Sequence, residues 1–385
     1  MPYAAGRTYF DADSHLMETP EWLASYADPE IRPKLQPYLG GKDRLAHEAV
    51  AAVGRHYDDP SAMAAAEDEL MTRKGWSALG SFDPALRSRA LDLLGFERQL
   101  VFSTFSVGQY ESAADLDVVY GGADAHNRGI AEFCGADHRL VGVGQVPLVD
   151  PDRAAVAVDD AIAAGCGSVL LPSAPARDIS PTHPAYDGVW ARLAEAGVPF
   201  MLHLGGGGNP LDPAFVNNGR PMPGDMLGDG GEGVRAKDFM VLNFGPEVFL
   251  TAMVLDGVFE RYPHLRCGVI EQGAGWVISL LERMDFAQRS FKKTEPLLAA
   301  LPEKASDYIR RQVKFTPFPH EPVGWLIEHA GDELFMFSSD YPHPEGGKDP
   351  LGKFEASLAG TSPDAVERFY SGNYAELMGM VPAST

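Results

Sequence analysis

Short apolar runs recur along the chain, each followed by a stretch of helical composition. Residues 8–13, 99–104 (QLVFST), 140–147 (LVGVGQVP), 168–171, 199–204 (PFMLHL), 266–271 (RCGVIE), 313–316 and 333–340 (ELFMFSSD) read as strands. Helical signals fill the gaps. Residues 124–134 have helical composition, and Asp150 is placed to cap a helix whose first position is Pro151 and whose stop is Gly165. A helix near 186–196 ends at Gly197. Another opens at Pro246, carries Val248, Ala252, Leu255 and Phe259 near a 3.6-residue period, and ends at Pro263. A last helix is expected over 364–378.

Eight strands interleaved with helices predict parallel β/α units, and the count fits a (β/α)8 barrel in the α/β class. Such a barrel needs roughly 250 residues, and the chain has 385. The excess lies at 16–98, polar and helix-rich, and at 205–245, rich in Gly, Pro and Asn. Both begin at the C-terminal end of a strand, where barrel active sites are built. They are expected to be a cap and a lid on a single domain spanning 1–385, inserted after strands one and five. No internal repeat or low-complexity tract is visible.

Composition narrows the function. Apolar residues make up 45% and charged residues 22%, enough for a sizeable core and against wholesale disorder. Lys and Arg number 32 against 54 Asp and Glu, a net −22. That opposes binding to nucleic acid or an anionic membrane. Three cysteines (Cys134, Cys166, Cys267) without a CxxC pair suit a reducing cytoplasm. The N-terminus shows no signal-peptide h-region, and no stretch reaches 18 uncharged apolar residues, so no membrane span is expected.

The chemistry-bearing residues stand at strand ends. In TYFDADSH, alternation puts Asp11, Asp13 and His15 on one face. A carboxylate and an imidazole two apart can both reach one divalent ion, or serve as a helix cap and a loop histidine. His203 ends strand five in FMLHLGGGG, whose glycines do not make a P-loop. Glu271 ends strand six in GVIEQGAGW, where a charge after apolar residues is costly unless paired or metal-bound. Asp340 ends strand eight in FSSDYPHPEG, with His343 just above it. Two histidines and two or three carboxylates suit one cation such as Zn²⁺ or Mn²⁺. Among the other histidines only His320, after strand seven, is placed to face a substrate. In the cap, Arg55, Arg73 and Lys74 can bind a substrate carboxylate, with surface solvation the plainer role for each.

FDADSH, FMLHLG, YPHLRCGVIEQGAGW and FSSDYPHPEG, in this order, resemble the amidohydrolase-related branch of the amidohydrolase superfamily that contains aminocarboxymuconate-semialdehyde decarboxylase and the resorcylate and salicylate decarboxylases. The resemblance covers nearly the whole chain. It implies a distorted (β/α)8 barrel holding one divalent ion, with Asp13, His15, His203 and Asp340 as ligands. Asp13 stands where the decarboxylases carry His or Glu, and Glu271 where they carry an acid/base His. The first expectation is therefore a metal-dependent hydrolase of a small carboxylated, amide or lactone substrate. Asp340 would be its general acid/base, Glu271 would ligate or orient water, and His343 and His320 would contact substrate. Non-oxidative decarboxylation of a planar or unsaturated acid is the alternative, and a metal-free binding barrel the second. The expected partner is a small molecule; a homo-oligomer is left open.

Overall fold

The computed structural model describes residues 2–41, 43–176, 178–205, 211–221 and 234–380. Its strands are β1 (Phe10–Asp11), β2 (His15–Leu16), β3 (Arg98–Ser103), β4 (Leu140–Gln145), β5 (Ser168–Leu170), β6 (Phe200–His203), β7 (Cys267–Ile270) and β8 (Val313–Phe315). All pairings are parallel. β1 lies within the expected first strand and β2 just beyond its end, both on β3, and the sheet continues in sequence order to β8.

The expected last strand over 333–340 forms no regular ladder; single bonds bridge the gap between β8 and β1. On one side Phe315 N–H donates to the Leu334 carbonyl (2.8 Å) and Met336 N–H to Phe315 (2.9 Å). On the other, Ala12 N–H donates to Phe337 (3.1 Å), Asp340 N–H to Asp13 (2.9 Å) and His15 N–H to Tyr341 (2.8 Å). Two causes break the ladder. Phe337 N–H is taken by the Phe369 carbonyl (2.9 Å), and Asp340 has left-handed backbone (φ 53°). The ring still closes, as a distorted (β/α)8 barrel.

Strand alternation sorts the core. Ala12, Leu100, Phe102, Val143, Leu170, Met201, Ile270 and Met336 pack together inside the ring, plugged by Tyr374 and Leu377 of the C-terminal segment. The interior is tight: a Cβ at Gly268 would lie 2.5 Å from the Met201 sulfur. Val101, Val169, Phe200, Leu202 and Val269 face the helices instead. The helix Pro151–Ala164 has the expected cap, with the Asp150 side chain accepting from Arg153 N–H, and stops at left-handed Gly165 (φ 106°). Two long helices are broken. Phe244–Leu255 ends before Gly257, leaving Phe259 in a separate turn, and the last helix is interrupted by a π-turn at Arg368–Gly372. The stretch 236–255 is apolar enough to cross a membrane, but turns separate its helical pieces Ala236–Phe239 and Phe244–Leu255.

Between β2 and β3 lie the helices Trp22–Tyr26, Asp43–Asp58, Pro60–Asp68 and Pro84–Leu94. Residues 75–81 dock on the end of the bridging segment: Gly75 N–H donates to the Pro342 carbonyl (2.9 Å) and Tyr341 Oη to that of Leu79 (2.7 Å). Of the expected lid, 206–210 and 222–233 lie outside the described residues.

Asp11 does not share a face with His15. It lies on the helix side of the sheet, with Gln99 and the buried Arg87 of Pro84–Leu94. Gln99 Nε2 (2.8 Å), Ser339 N–H (2.8 Å) and Ser339 Oγ (2.6 Å) donate to its carboxylate. Burial nevertheless pushes Asp11 up to about 7. Arg87 donates to the Gly80 carbonyl (3.0 Å), Gln99 Oε1 (3.2 Å) and the His15 carbonyl, beneath the rings of Tyr341 and Phe133. Arg87→Met would strand three buried acceptors, and the expected loss is ~2–4 kcal/mol of unfolding free energy. Urea denaturation would measure it, and a change under ~1 kcal/mol would show that the three acceptors are readily satisfied without the guanidinium.

Candidate metal centre

Six of the seven expected side chains converge at the C-terminal end of the ring. His203 is the inward position two beyond Met201, so regular alternation delivers it to the top of the barrel core. Asp13 sits in the break between β1 and β2, and the break lets it and His15 reach the same point. Glu271 follows inward-facing Ile270, so a regular pleat would turn it away. Its left-handed backbone (φ 55°) redirects it, and its amide is held by Thr316 Oγ1 (2.9 Å). Asp340 is also left-handed (φ 53°), although alternation from inward-facing Met336 already turns it to the core side. A left-handed conformation costs a non-glycine residue ~1–3 kcal/mol, so the fold spends strain on both carboxylates.

Asp13 Oδ1 lies 3.3 Å from both His15 Nε2 and His203 Nε2. Asp340 Oδ1 is 3.5 Å from His15 Nε2 and 3.1 Å from His343 Nδ1, and Glu271 Oε2 is 3.6 Å from His203 Nε2. One donor atom each from Asp13, His15, His203 and Glu271 lie within 4.8 Å of one another, and a second such group is His15, Asp340 and His343. All six residues are buried. The rings of His15 and His343 stack at 3.8 Å.

Proton positions follow from the partners. His203 Nδ1 faces the Leu204 carbonyl at 2.9 Å, and a carbonyl only accepts, so Nδ1 carries the proton. In the neutral ring Nε2 is then a lone pair facing the Asp13 carboxylate: acceptor against acceptor. His15 repeats this at longer range, with Nδ1 on the Ser103 carbonyl (3.4 Å). Such contacts are repulsive unless positive charge lies between them. A proton is a poor source at His15, because burial and the neighbouring His343 push its pKa down to about 4. His15 Nε2 and both Asp340 oxygens are buried without a hydrogen-bond partner. A cation among Asp13, His15, His203 and Glu271, whose donor atoms lie together, would meet the facing lone pairs, with Asp340 grouped instead with His15 and His343, and the mix of imidazole and carboxylate suits Zn²⁺ or Mn²⁺.

Electrostatics separates the carboxylates. Burial would raise Asp13, but positive charge at the His203 and His15 Nε2 atoms holds it below the usual carboxylate range, the same demand for positive charge at this point. Asp340 is raised on balance: burial, then the Asp13 charge, push it up to about 7 against the opposing pull of His15, Lys74 and His203. His343 is driven down to about 3 by burial. Thr104 Oγ1 donates to the Leu16 carbonyl (2.9 Å) and so accepts from His343 Nε2 (3.0 Å), leaving Nδ1 toward Asp340.

Glu18 was not singled out in the sequence, and Lys74 only as one of three cap cations able to bind a substrate carboxylate. Glu18 is buried and accepts from the backbone N–H groups of Thr104, Phe105 and Ser106 (3.0–3.1 Å at the shortest), which pins the loop holding Thr104. Lys74, expected to be solvated, has a buried Nζ without a hydrogen-bond partner. Burial lowers its pKa against the pull of Asp340 and Glu345. Arg73 is held by Glu69 (3.0 Å) and Arg55 is exposed. His320 stands off the cluster, exposed and stacked on Phe318 at 5.6 Å. Only a lysine directly before a glycine-led turn marked Lys74, and nothing in the periodicity marked Glu18.

The amidohydrolase family profile matches residues 10–379. Among solved structures, an amidohydrolase from Mycobacterium avium subsp. paratuberculosis is 25% identical, with a TM-score of 0.75 over 98% of this chain and 100% of its own. The 5-carboxyvanillate decarboxylase of Novosphingobium aromaticivorans, complexed with manganese and 4-hydroxy-3-methoxy-5-nitrobenzoic acid, is 17% identical (TM-score 0.64, 97% and 96% covered). A dihydroxybenzoic acid decarboxylase from a Polaromonas species, with bound manganese and 2-nitroresorcinol, is 19% identical (TM-score 0.62, 98% of each). No curated protein matches the chain.

Proposed function

Because the chain belongs to the amidohydrolase family, and is thus a metal-dependent hydrolase or carboxy-lyase, we propose that it hydrolyses a small carboxylated, amide or lactone substrate. The supporting observation is the pair of carboxylates, Asp340 and Glu271, set on either side of the two ligand imidazoles. Held by Asp13, His15, His203 and Asp340, a divalent ion supplies Lewis acidity toward a carbonyl and lowers the pKa of water.

The chain's own groups do the rest. Asp340, whose buried oxygens accept no hydrogen bond, is placed to take a proton from the attacking water and return it to the leaving group. Glu271 accepts a hydrogen bond from that water and orients it. His343, its ring fixed by Thr104 and stacked on His15, presents Nδ1 as an acceptor to Asp340 once that carboxyl has taken up the proton, and contacts the substrate. Lys74 offers an uncommitted cation to a substrate carboxylate. His320, displaced from the cluster, keeps a substrate role only at the outer rim beside Phe318.

Decarboxylation is the second reading, favoured by the manganese-bound decarboxylases of the same fold. The products separate the two: a released amine, alcohol or acid supports hydrolysis, and CO₂ supports the alternative. Glu271→His restores the decarboxylase-like residue type. For a hydrolase it is expected to impair turnover. A variant that releases CO₂ faster than wild type from the same substrate would overturn the hydrolase assignment.

A further inference from the structure

A cavity of about 380 Å³ opens beside His203, walled by the C-terminal ends of β3 to β6. We infer that it is the subsite for an uncharged, apolar substrate body carrying one neutral hydrogen-bonding group, so that the enzyme takes molecules with a polar reacting end and a hydrophobic remainder. The inference rests on the cluster being the reacting end.

Four observations carry it. First, the cavity adjoins the cluster at one wall, which His203 and the Phe102 ring packed 4.5 Å from it both line, while Asp13, Glu271 and Asp340 line a separate small cavity on the cluster's other side. Second, its walls are mainly apolar, from Val107, Val146, Leu148 and Leu170 among others, and among the described residues no lysine or arginine lines it. The available buried cation, Lys74, faces Asp340 and Glu345 instead. With Glu111 on the wall, an anionic tail is disfavoured. Third, Tyr110 lines the cavity and is 1% exposed, and its hydroxyl has no hydrogen-bond partner. A buried hydroxyl left so is costly, and a carbonyl, ether or hydroxyl on the ligand would satisfy it. Fourth, the size fits: a cavity of ~150 Å³ holds one benzene, so this one holds a body of about two rings.

The test is equilibrium binding of benzoate, 2-naphthoate, 6-hydroxy-2-naphthoate and naphthalene-2,6-dicarboxylate to the Mn²⁺-loaded and the metal-free protein. The second ring is expected to tighten binding about tenfold or more over benzoate. The dicarboxylate should lose that gain. Tyr110→Phe should weaken 6-hydroxy-2-naphthoate and leave 2-naphthoate unchanged. Val149→Trp, or Ala174→Trp should the first not fold, fills the cavity and should abolish the gain while benzoate binding persists. Equal affinity for benzoate and 2-naphthoate, a dicarboxylate as tight as 2-naphthoate, or no binding of any probe would overturn the subsite. A protein that takes up no metal yet prefers 2-naphthoate would overturn the metal-dependent assignment and support the subsite.

Discussion

Asp340→Asn is expected to keep the metal and to lower turnover by ~10²–10⁴, the usual worth of a positioned acid/base. The amide preserves the volume and one carbonyl oxygen, so it can still fill a ligand position. What it lacks is the ability to take up a proton. The wild-type carboxyl is suited to that step by its surroundings. It is buried, neither oxygen accepts a hydrogen bond, and the Asp13 charge opposes its ionisation. Loss confined to kcat, with metal content near wild type, would match the assignment. An Asn variant within a few-fold of wild type would remove Asp340 from proton transfer and return the role to Glu271.

His203→Ala is expected to abolish tight metal binding. Of the proposed ligands His203 has the firmest orientation: Nδ1 is tied to the Leu204 carbonyl, its ring packs on Phe102, and Nε2 meets Asp13 and Glu271. Removing it leaves His15 to supply nitrogen alone beside the carboxylates. Elemental analysis should show near-stoichiometric metal in the wild type and background in the variant. Thermal melting gives an independent measure. An ion that binds only the folded state raises Tm with its concentration, so added Mn²⁺ should raise the wild-type Tm and leave the variant unmoved. Full activity in metal-free wild type would sink the metal-dependent mechanism itself.

The sequence made most of this site legible because its residues end apolar runs. His203 follows FML, Glu271 follows GVI and Asp340 follows FMFSS; a charge there has no place in a regular strand core. Alternation carried His203 to its true position. It failed at Asp11 and Glu271, where a strand break and a left-handed residue overrule the pleat. It also overstated the last strand, since ELFMF has strand composition while one of its amides is committed to Phe369. Glu18, and the burial that sets Lys74 apart from Arg55 and Arg73, were hidden for another reason. Both residues act from the long insertion after β2, and their burial depends on how residues 75–81 dock onto Tyr341 and Pro342. Contacts of that kind leave no period in a sequence. His320 shows the opposite error: proximity to a strand end placed it well, but it lies flat on Phe318.

The seam between the first strand and residues 334–341 also bears on how the protein is made. Asp11 and its partner Ser339 are 328 residues apart. At ~5–20 residues per second, that separation puts roughly 15–65 s of translation between them. Over that interval β3 to β8 can assemble as an open parallel sheet, with one bare edge awaiting the C-terminal segment and the first strand able to seal only one flank. Bare edges invite pairing with other chains. Building the site from segments 328 residues apart therefore delays the chemistry until Ser339 has been made, and makes the nascent chain, rather than the finished barrel, the species most in need of protection.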